Sequence, residues 1–258
     1  MTDPAPSNPQ GIAYLAALND VYHNPDYILS DTADSPNRQG CREKINYTIT
    51  INTPTREPVI TGYGPRDQIV KAYTEAERVR FDQGDITHMG EISSFWNKIK
   101  NPDGTINANY GYMVYHILDA GNPFYSTELP ISQWQWAKNR LLLNKDTAQA
   151  IMHFNRPKDQ YSGNLDQPCC MYSQFLIRND LLHYTINMRS NDLWFGTPYN
   201  LAYHIELMYR MRDELPWPLG IGTLTLNTTS LHIYRRHWKL VEAMLEATAG
   251  SMSRSFQF

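Results

Sequence analysis

Apolar and polar residues alternate through Ile45, Tyr47, Ile49 and Ile51. Successive side chains of an extended chain point to opposite faces, so this period of two predicts a strand. Residues 66–82, rich in charge, predict a helix, and residues 134–143 predict another that stops at Asn144. Residues 150–154 read as a short strand. The centre of the chain is clearer. Residues 171–177 predict a strand, Arg178-Asn179-Asp180 supplies turn chemistry, and residues 182–188 predict the return strand of a hairpin. Residues 189–196 read as an irregular loop. Thr197 suits a helix N-cap with Pro198 at the first helical position, and Leu201, Ile205, Met208 and Arg212 follow at helical spacing before Pro216 and Pro218. Residues 223–226 predict a strand, and residues 232–248 a last amphipathic helix with Leu240, Val241, Met244 and Leu245 on one face. Strands and helices mix without strict alternation. That pattern assigns the chain to the α/β class, of the α+β type, with helices packed on a mixed sheet.

Size and charge narrow the picture. The 258 residues suffice for one large domain or two small ones, and 41% hydrophobic with 12% aromatic residues can bury a sizeable core. No internal repeat is visible, and residues 1–11, polar and proline-bearing, read as a disordered tail without the basic and apolar regions of a signal peptide. A net charge of −3 gives no electrostatic case for nucleic acid or a membrane surface, and no apolar run reaches the length of a membrane span. The cysteines are Cys41, Cys169 and Cys170, an odd count that makes no disulfide framework and points to a reducing cytoplasm.

Cys169, in Gln167-Pro168-Cys169-Cys170, is the first candidate for chemistry. A cysteine taken at random is more often a packing residue, and a nucleophilic one needs a cation or base nearby. The predicted hairpin begins at Cys169 and returns the chain to Arg189, whose guanidinium cannot take a proton but can stabilise a thiolate by its charge. Adjacent cysteines lack the ligand spacing of a zinc site, and no metal is expected. His232 and Tyr234 sit two apart, so on an extended segment they share a face.

Pro168-Cys169, Gln174-Phe175, Arg189-Ser190-Asn191-Asp192 and Phe195-Gly196-Thr197-Pro198-Tyr199-Asn200, in this order, resemble the core signature of thymidylate synthases. Trp96 with Tyr110-Gly111 resembles the segment that walls that family's active site. Ser230-Leu231-His232-Ile233-Tyr234 resembles its sugar-binding strand end, and Arg38-Gln39-Gly40 its phosphate loop. The resemblance runs from roughly residue 30 to residue 250, and separated motifs in order outweigh one short pattern. Asn107 to Gly111, Asn187 to Asp192, Phe154-Asn155-Arg156-Pro157 and Ser230 to His237 are similar to viral deoxycytidylate hydroxymethylases, which share the early chemistry but finish with water in place of hydride.

The resemblance implies one thymidylate synthase-like domain over residues 12–258, a large twisted mixed sheet, and a homodimer. It implies a pyrimidine nucleotide as substrate and 5,10-methylenetetrahydrofolate as cosubstrate. Cys169 would add to carbon 6 of the base and make carbon 5 nucleophilic. By the Glu77–Gly84–Asp85 spacing, Glu77 matches the family's catalytic glutamate, a proton-transfer and water-orienting group. Tyr110 would lie by the reacting carbon. Arg38, Arg189 and Ser190 would hold phosphate, and His232 and Tyr234 the sugar hydroxyl. Trp96, Asp192 and Gly196 would meet the folate. Asn200 would read the base. Cytosine-specific relatives carry aspartate there, so an asparagine favours a uracil nucleotide, dUMP first. Where the family has paired phosphate arginines the resemblance puts Ala148 and Gln149, so either another cation substitutes, Lys145 or Arg156, or the ligand is not an ordinary 5′-monophosphate. A methylating enzyme, a hydroxymethylase of dCMP or CMP, and a non-catalytic nucleotide-binding paralogue stay open as alternatives.

Overall fold

Asn8 caps the first helix of the described chain, and residues 1–7 of the expected tail lie outside the described residues. The structure, a computed structural model, describes residues 8–31, 40–116 and 131–255. The Asn8 side-chain oxygen accepts from the Gly11 amide at 2.9 Å and caps helix α1 (Pro9–His23). Composition assigns residues 8–11 to the tail, but Gln10 and Gly11 are buried in the first turn of α1. A Cβ on Gly11 would lie 1.7 Å from the Ile60 carbonyl oxygen, so the close approach needs glycine. Tyr14, Leu15, Leu18 and Val21 then form the buried face of a helix that the pattern analysis does not identify.

The chain continues through β1 (Tyr27–Leu29), β2 (Cys41–Asn52), α2 (Gly64–Gln83), α3 (Ser94–Asn97) and α4 (Gln133–Leu143). Next come β3 (Ile151–His153), β4 (Cys170–Arg178), β5 (Leu181–Asp192), α5 (Thr197–Glu214), β6 (Gly220–Tyr234) and α6 (Trp238–Ser255). The strands form one sheet in the order β1-β2-β6-β5-β4-β3. The β5–β6 pair is parallel and the other pairs are antiparallel, so the expected mixed sheet is present. Ile49, Ile51, Phe175, Ile177, Tyr184, Ile186, Leu224 and Leu226 alternate along their strands onto the buried face. Helices α1 and α5 pack there, and α6 packs on α1. The other face carries Thr48, Tyr172, Asn187 and Asn227, which line an open depression of about 450 Å³.

Local signals place most elements well. The β4–β5 turn has Asn179 at φ 50° and Asp180 at φ 57°, two left-handed residues whose twist suits a two-residue hairpin. Helix α2 ends at Gly84 with φ 63°, and α4 ends at Asn144. The sequence reading fails where polar residues are held by main-chain pairing alone. Residues 189–192, read as loop, complete β5, and β6 runs from 220 to 234 where the pattern predicts only 223–226. The last helix therefore starts at Trp238 and not at 232, after a 3-10 turn over Arg235–His237. Its inner face keeps Val241, Met244 and Leu245, while Leu240 is 52% exposed. The N-cap of α5 is Gly196, so Thr197 and Pro198 are its first and second residues.

Gly111, directly after Tyr110, has no room for a side chain: a Cβ would stand 2.0 Å from the Phe81 carbonyl oxygen. Gly111→Ala forces two backbones apart and should cost roughly 1–3 kcal/mol or more. Urea denaturation measures it, and an unchanged midpoint would mean that this contact does not constrain the fold.

Candidate active site

Cys169 stands at the entry to β4, where the pairing with β5 slips between Cys170 and Tyr172. Such a bulge inserts an extra residue and re-aims its neighbours. The Arg189 amide donates to the Cys169 carbonyl at 2.9 Å, so the hairpin brings these two residues side by side as the sequence predicts. Cys169 is half-buried and Cys170 fully buried. Burial, with the Cys169 charge beside it, pushes the Cys170 thiol well above the ordinary range, which suits a packing residue. The Cys169 sulfur lies 3.7 Å from the Ser190 hydroxyl. Arg189 donates to that same hydroxyl at 3.2 Å, and its other nitrogens hold the Pro168 and Gln167 carbonyls at 3.1 and 2.7 Å. The guanidinium thus staples the loop that carries Cys169 and reaches the sulfur through Ser190.

Tyr110 lies against the next residue, its hydroxyl accepting from the Cys170 amide at 3.2 Å. Burial first, then the Cys169 charge, raise this phenol well above its ordinary value. The segment before it is pinned from below. Asp166, buried, accepts from the Asn107 and Ala108 amides, and Asn109 donates to the Asp85 carbonyl at 2.9 Å. Burial raises Asp166, and the hydrogen bonds from the Ala108 and Asn107 amides, with a smaller pull from the Arg189 charge, draw it partly back.

Glu77 faces inward from α2 and is 8% exposed. Burial raises its carboxyl to about 8, against a smaller lowering by a hydrogen bond from Tyr73, one helical turn earlier. The Tyr73 hydroxyl also accepts from the Trp96 indole at 3.0 Å, and its ring stacks on Tyr199 with centroids 4.1 Å apart. Trp96, Tyr73 and Glu77 therefore form one polar chain beside the start of α5.

The remaining groups gather at the carboxyl ends of the parallel pair. Ser190 lies opposite Ser230 and Asp192 opposite His232 in register. His232 and Tyr234 share a face, with ring centroids 4.7 Å apart. Asp192 accepts from the Trp194 and Phe195 amides at 2.9 and 3.0 Å, which shapes the turn into α5, and its other oxygen is 3.9 Å from Arg236. Gly196 abuts Asn191, whose side-chain oxygen would lie 2.5 Å from a Cβ there. Asn200, in the first turns of α5, donates to that oxygen at 3.2 Å. Crevices beyond the carboxyl ends of parallel strands are natural ligand sites in open sheets.

Arg38 lies outside the described residues. The two cations considered as substitutes for the arginine pair are already engaged. Lys145 pairs with Asp180 at 2.5 Å, and Arg156 pairs with the buried Asp159 at 2.8 Å. Gln149 instead receives the Arg140 guanidinium from α4. Tyr73, Asp166 and Asn191 escape the sequence reading as site residues. Tyr73 is legible in hindsight, four residues before Glu77 on one helix face. The contacts of Asp166 and Asn191 leave no local signal.

The thymidylate synthase family profile matches residues 25–254. The deoxycytidylate 5-hydroxymethyltransferase of enterobacteria phage T4 is 28% identical over 162 residues, 59% of this chain and 61% of the phage protein. The thymidylate synthase of Bacillus subtilis subsp. natto is 26% identical over 165 residues, 64% of this chain and 56% of that protein. The matched segments thus span less than two thirds of these relatives. The solved structure of thermostable thymidylate synthase A from Bacillus subtilis superposes with a TM-score of 0.64 at 18% identity, covering 90% of this chain and 82% of that one. The last likeness bears on the fold alone.

Glu77 should make stability depend on pH. The unfolded chain releases this proton near 4.5 and the folded chain near 8. The contribution is therefore fully present below pH 4.5 and is lost as pH rises to about 8, at roughly 1.4 kcal/mol per unit. Glu77→Gln removes the slope, so the variant gains on the wild type between pH 4 and pH 9 in thermal melting. Parallel melting curves at both pH values would show that Glu77 is solvated.

Proposed function

The chain belongs to the thymidylate synthase family, and on that premise we propose that it is a C5-hydroxymethylase acting on a uracil nucleotide, dUMP, with 5,10-methylenetetrahydrofolate as one-carbon donor. The observation that carries the reading is the half-buried Cys169 sulfur 3.7 Å from Ser190, with Arg189 on the same hydroxyl and Tyr110 one residue away. A sulfur in this setting can add to an electron-poor ring carbon while fixed donors steady its charge.

In this reading the Cys169 thiolate adds to carbon 6 of the pyrimidine and the ring electrons move to carbon 5. Asn200 holds the edge of the base that carries position 4. Glu77, protonated at neutral pH by its burial, donates to the oxygen at carbon 4 as the negative charge arrives there, then takes a proton from water. Methylenetetrahydrofolate supplies a carbon at the formaldehyde level. Trp96 and Asp192 are the residues suited to hold it, an indole face for a flat ring and a carboxylate oxygen for its N–H groups. Carbon 5 would bond to that one-carbon unit and lose its proton as tetrahydrofolate departs; addition of water to the methylene left on carbon 5, with loss of the Cys169 sulfur from carbon 6, would yield the hydroxymethyl base. His232 and Tyr234 hold the sugar, and Arg38, Arg189 and Ser190 the phosphate. The likeness to a phage hydroxymethyltransferase favours water over hydride in the last step. A second copy of the chain packs on the open sheet face around Tyr172, Asn187 and Asn227, and the reaction takes place in the cytoplasm.

Incubation with dUMP and methylenetetrahydrofolate should give tetrahydrofolate and a nucleotide heavier by CH₂O in mass spectrometry. A rise in dihydrofolate absorbance would instead establish a methylating enzyme, and tritium release from carbon 5 of dCMP but not dUMP would overturn the base assignment. Cys169→Ser should lower turnover by roughly three orders of magnitude or more. Full activity in that variant would end the covalent mechanism.

A further inference from the structure

Asn191 is 2% exposed and is the last residue but one of β5. Its amide nitrogen donates to the Met188 thioether at 3.1 Å, and its amide oxygen accepts from the Asn200 nitrogen at 3.2 Å. The Asn200 nitrogen also faces the Met188 sulfur, at 3.9 Å. These contacts have a direction. A thioether sulfur accepts hydrogen bonds and has none to give, so the Asn191 nitrogen, not its oxygen, turns toward Met188. The oxygen then turns toward Asn200, which must present its nitrogen. Flipping the Asn200 amide would set two carbonyl oxygens against each other. Flipping both amides would leave the Asn191 oxygen on a sulfur with no hydrogen. Gly196 closes the space, since any Cβ there would strike the same oxygen.

Asn200 therefore keeps one N–H and its carbonyl oxygen for a ligand, at fixed positions. Uracil offers N3–H and O4, a donor beside an acceptor. Cytosine offers the reverse order, N3 as acceptor and N4–H₂ as donor. An amide free to flip pairs with either edge, and a locked one matches a single base. We infer that Asn191, oriented by the Met188 thioether, is the positioning residue that makes Asn200 discriminate between uracil and cytosine nucleotides. The inference rests on the reading of Asn200 as the group that meets the base.

The test is isothermal titration with dUMP and with dCMP, without folate, on wild type and variants checked for folding by thermal melting. Wild type should prefer one nucleotide, dUMP, by about tenfold or more, the value of one mismatched hydrogen bond. Asn191→Ala should bring the ratio of the two dissociation constants to within about threefold of one. Asn191→Leu, of the same branched shape though bulkier, should do the same and stands in if the alanine variant does not fold. Asn191→Asp still accepts from Asn200 and should keep the wild-type ratio. A purely structural role would weaken both nucleotides together and leave the ratio untouched, so an unchanged ratio in both the alanine and leucine variants overturns the inference. A collapsed ratio in Asn191→Asp, or a wild type that binds both nucleotides equally, also overturns it. Binding of neither nucleotide by wild type sinks the functional reading itself, and a preference for dCMP that Asn191→Ala abolishes sinks only the uracil assignment.

Discussion

Ser190 stands opposite Ser230, and Asp192 opposite His232, because β5 and β6 run parallel with helix α5 as the crossover between them. Parallel neighbours end on the same side, so polar residues at the ends of both strands meet there. The crossover adds the start of a helix to the same place, which brings Gly196 and Asn200 beside the strand ends. The β4–β5 hairpin then delivers Cys169 next to Arg189, and α2 with the segment before Tyr110 closes the other side. Without the parallel pair, Asn200, His232, Tyr234 and Cys169 would have no common ground. The sheet's other pairings are antiparallel, so this one junction carries the site.

Burial then sorts chemically similar groups into different roles. Cys170 is sealed in the core with its proton held, whereas Cys169, one residue earlier, keeps part of its surface and a hydroxyl partner. Glu77 and Asp85 share the α2 region but diverge strongly. Burial raises Glu77 to about 8, while hydrogen bonds from Thr87 and His88 outweigh desolvation at Asp85 and hold it below the usual carboxylate range. One carboxyl thereby holds its proton near neutral pH, and the other stays a charge that pairs with Arg80. The Tyr73 hydroxyl links Glu77 to Trp96, so one residue ties the carboxyl to the indole.

Around Ala148 and Gln149 the nearby cations are committed within the chain, Lys145 and Arg156 to carboxylates. Arg140 comes to Gln149 from α4. The Asn200 nitrogen is held by the Asn191 oxygen beside the Met188 sulfur, and the direction of these hydrogen bonds follows from the sulfur.

The sequence by itself determined what depends on near neighbours along the chain. Asn179-Asp180 sets a two-residue turn, and counting back along both strands from it brings Cys169 level with Ser190, next to Arg189; the bulge before Tyr172 then sets Cys169 opposite Arg189. Gly84, Asn144 and Pro216 end their helices through their own backbone preferences, and separated motifs in order reveal the family. Tertiary structure alone decided the rest. Residues 189–192 and 227–234 became strand through main-chain pairing between segments forty residues apart, and polar side chains leave no periodic trace of such pairing. Glu77 looks like any charge on a charged helix until α5 and Trp96 cover it. The acidity of a carboxyl and the direction an amide faces depend on what packs against them, and distant segments decide that only when the chain closes.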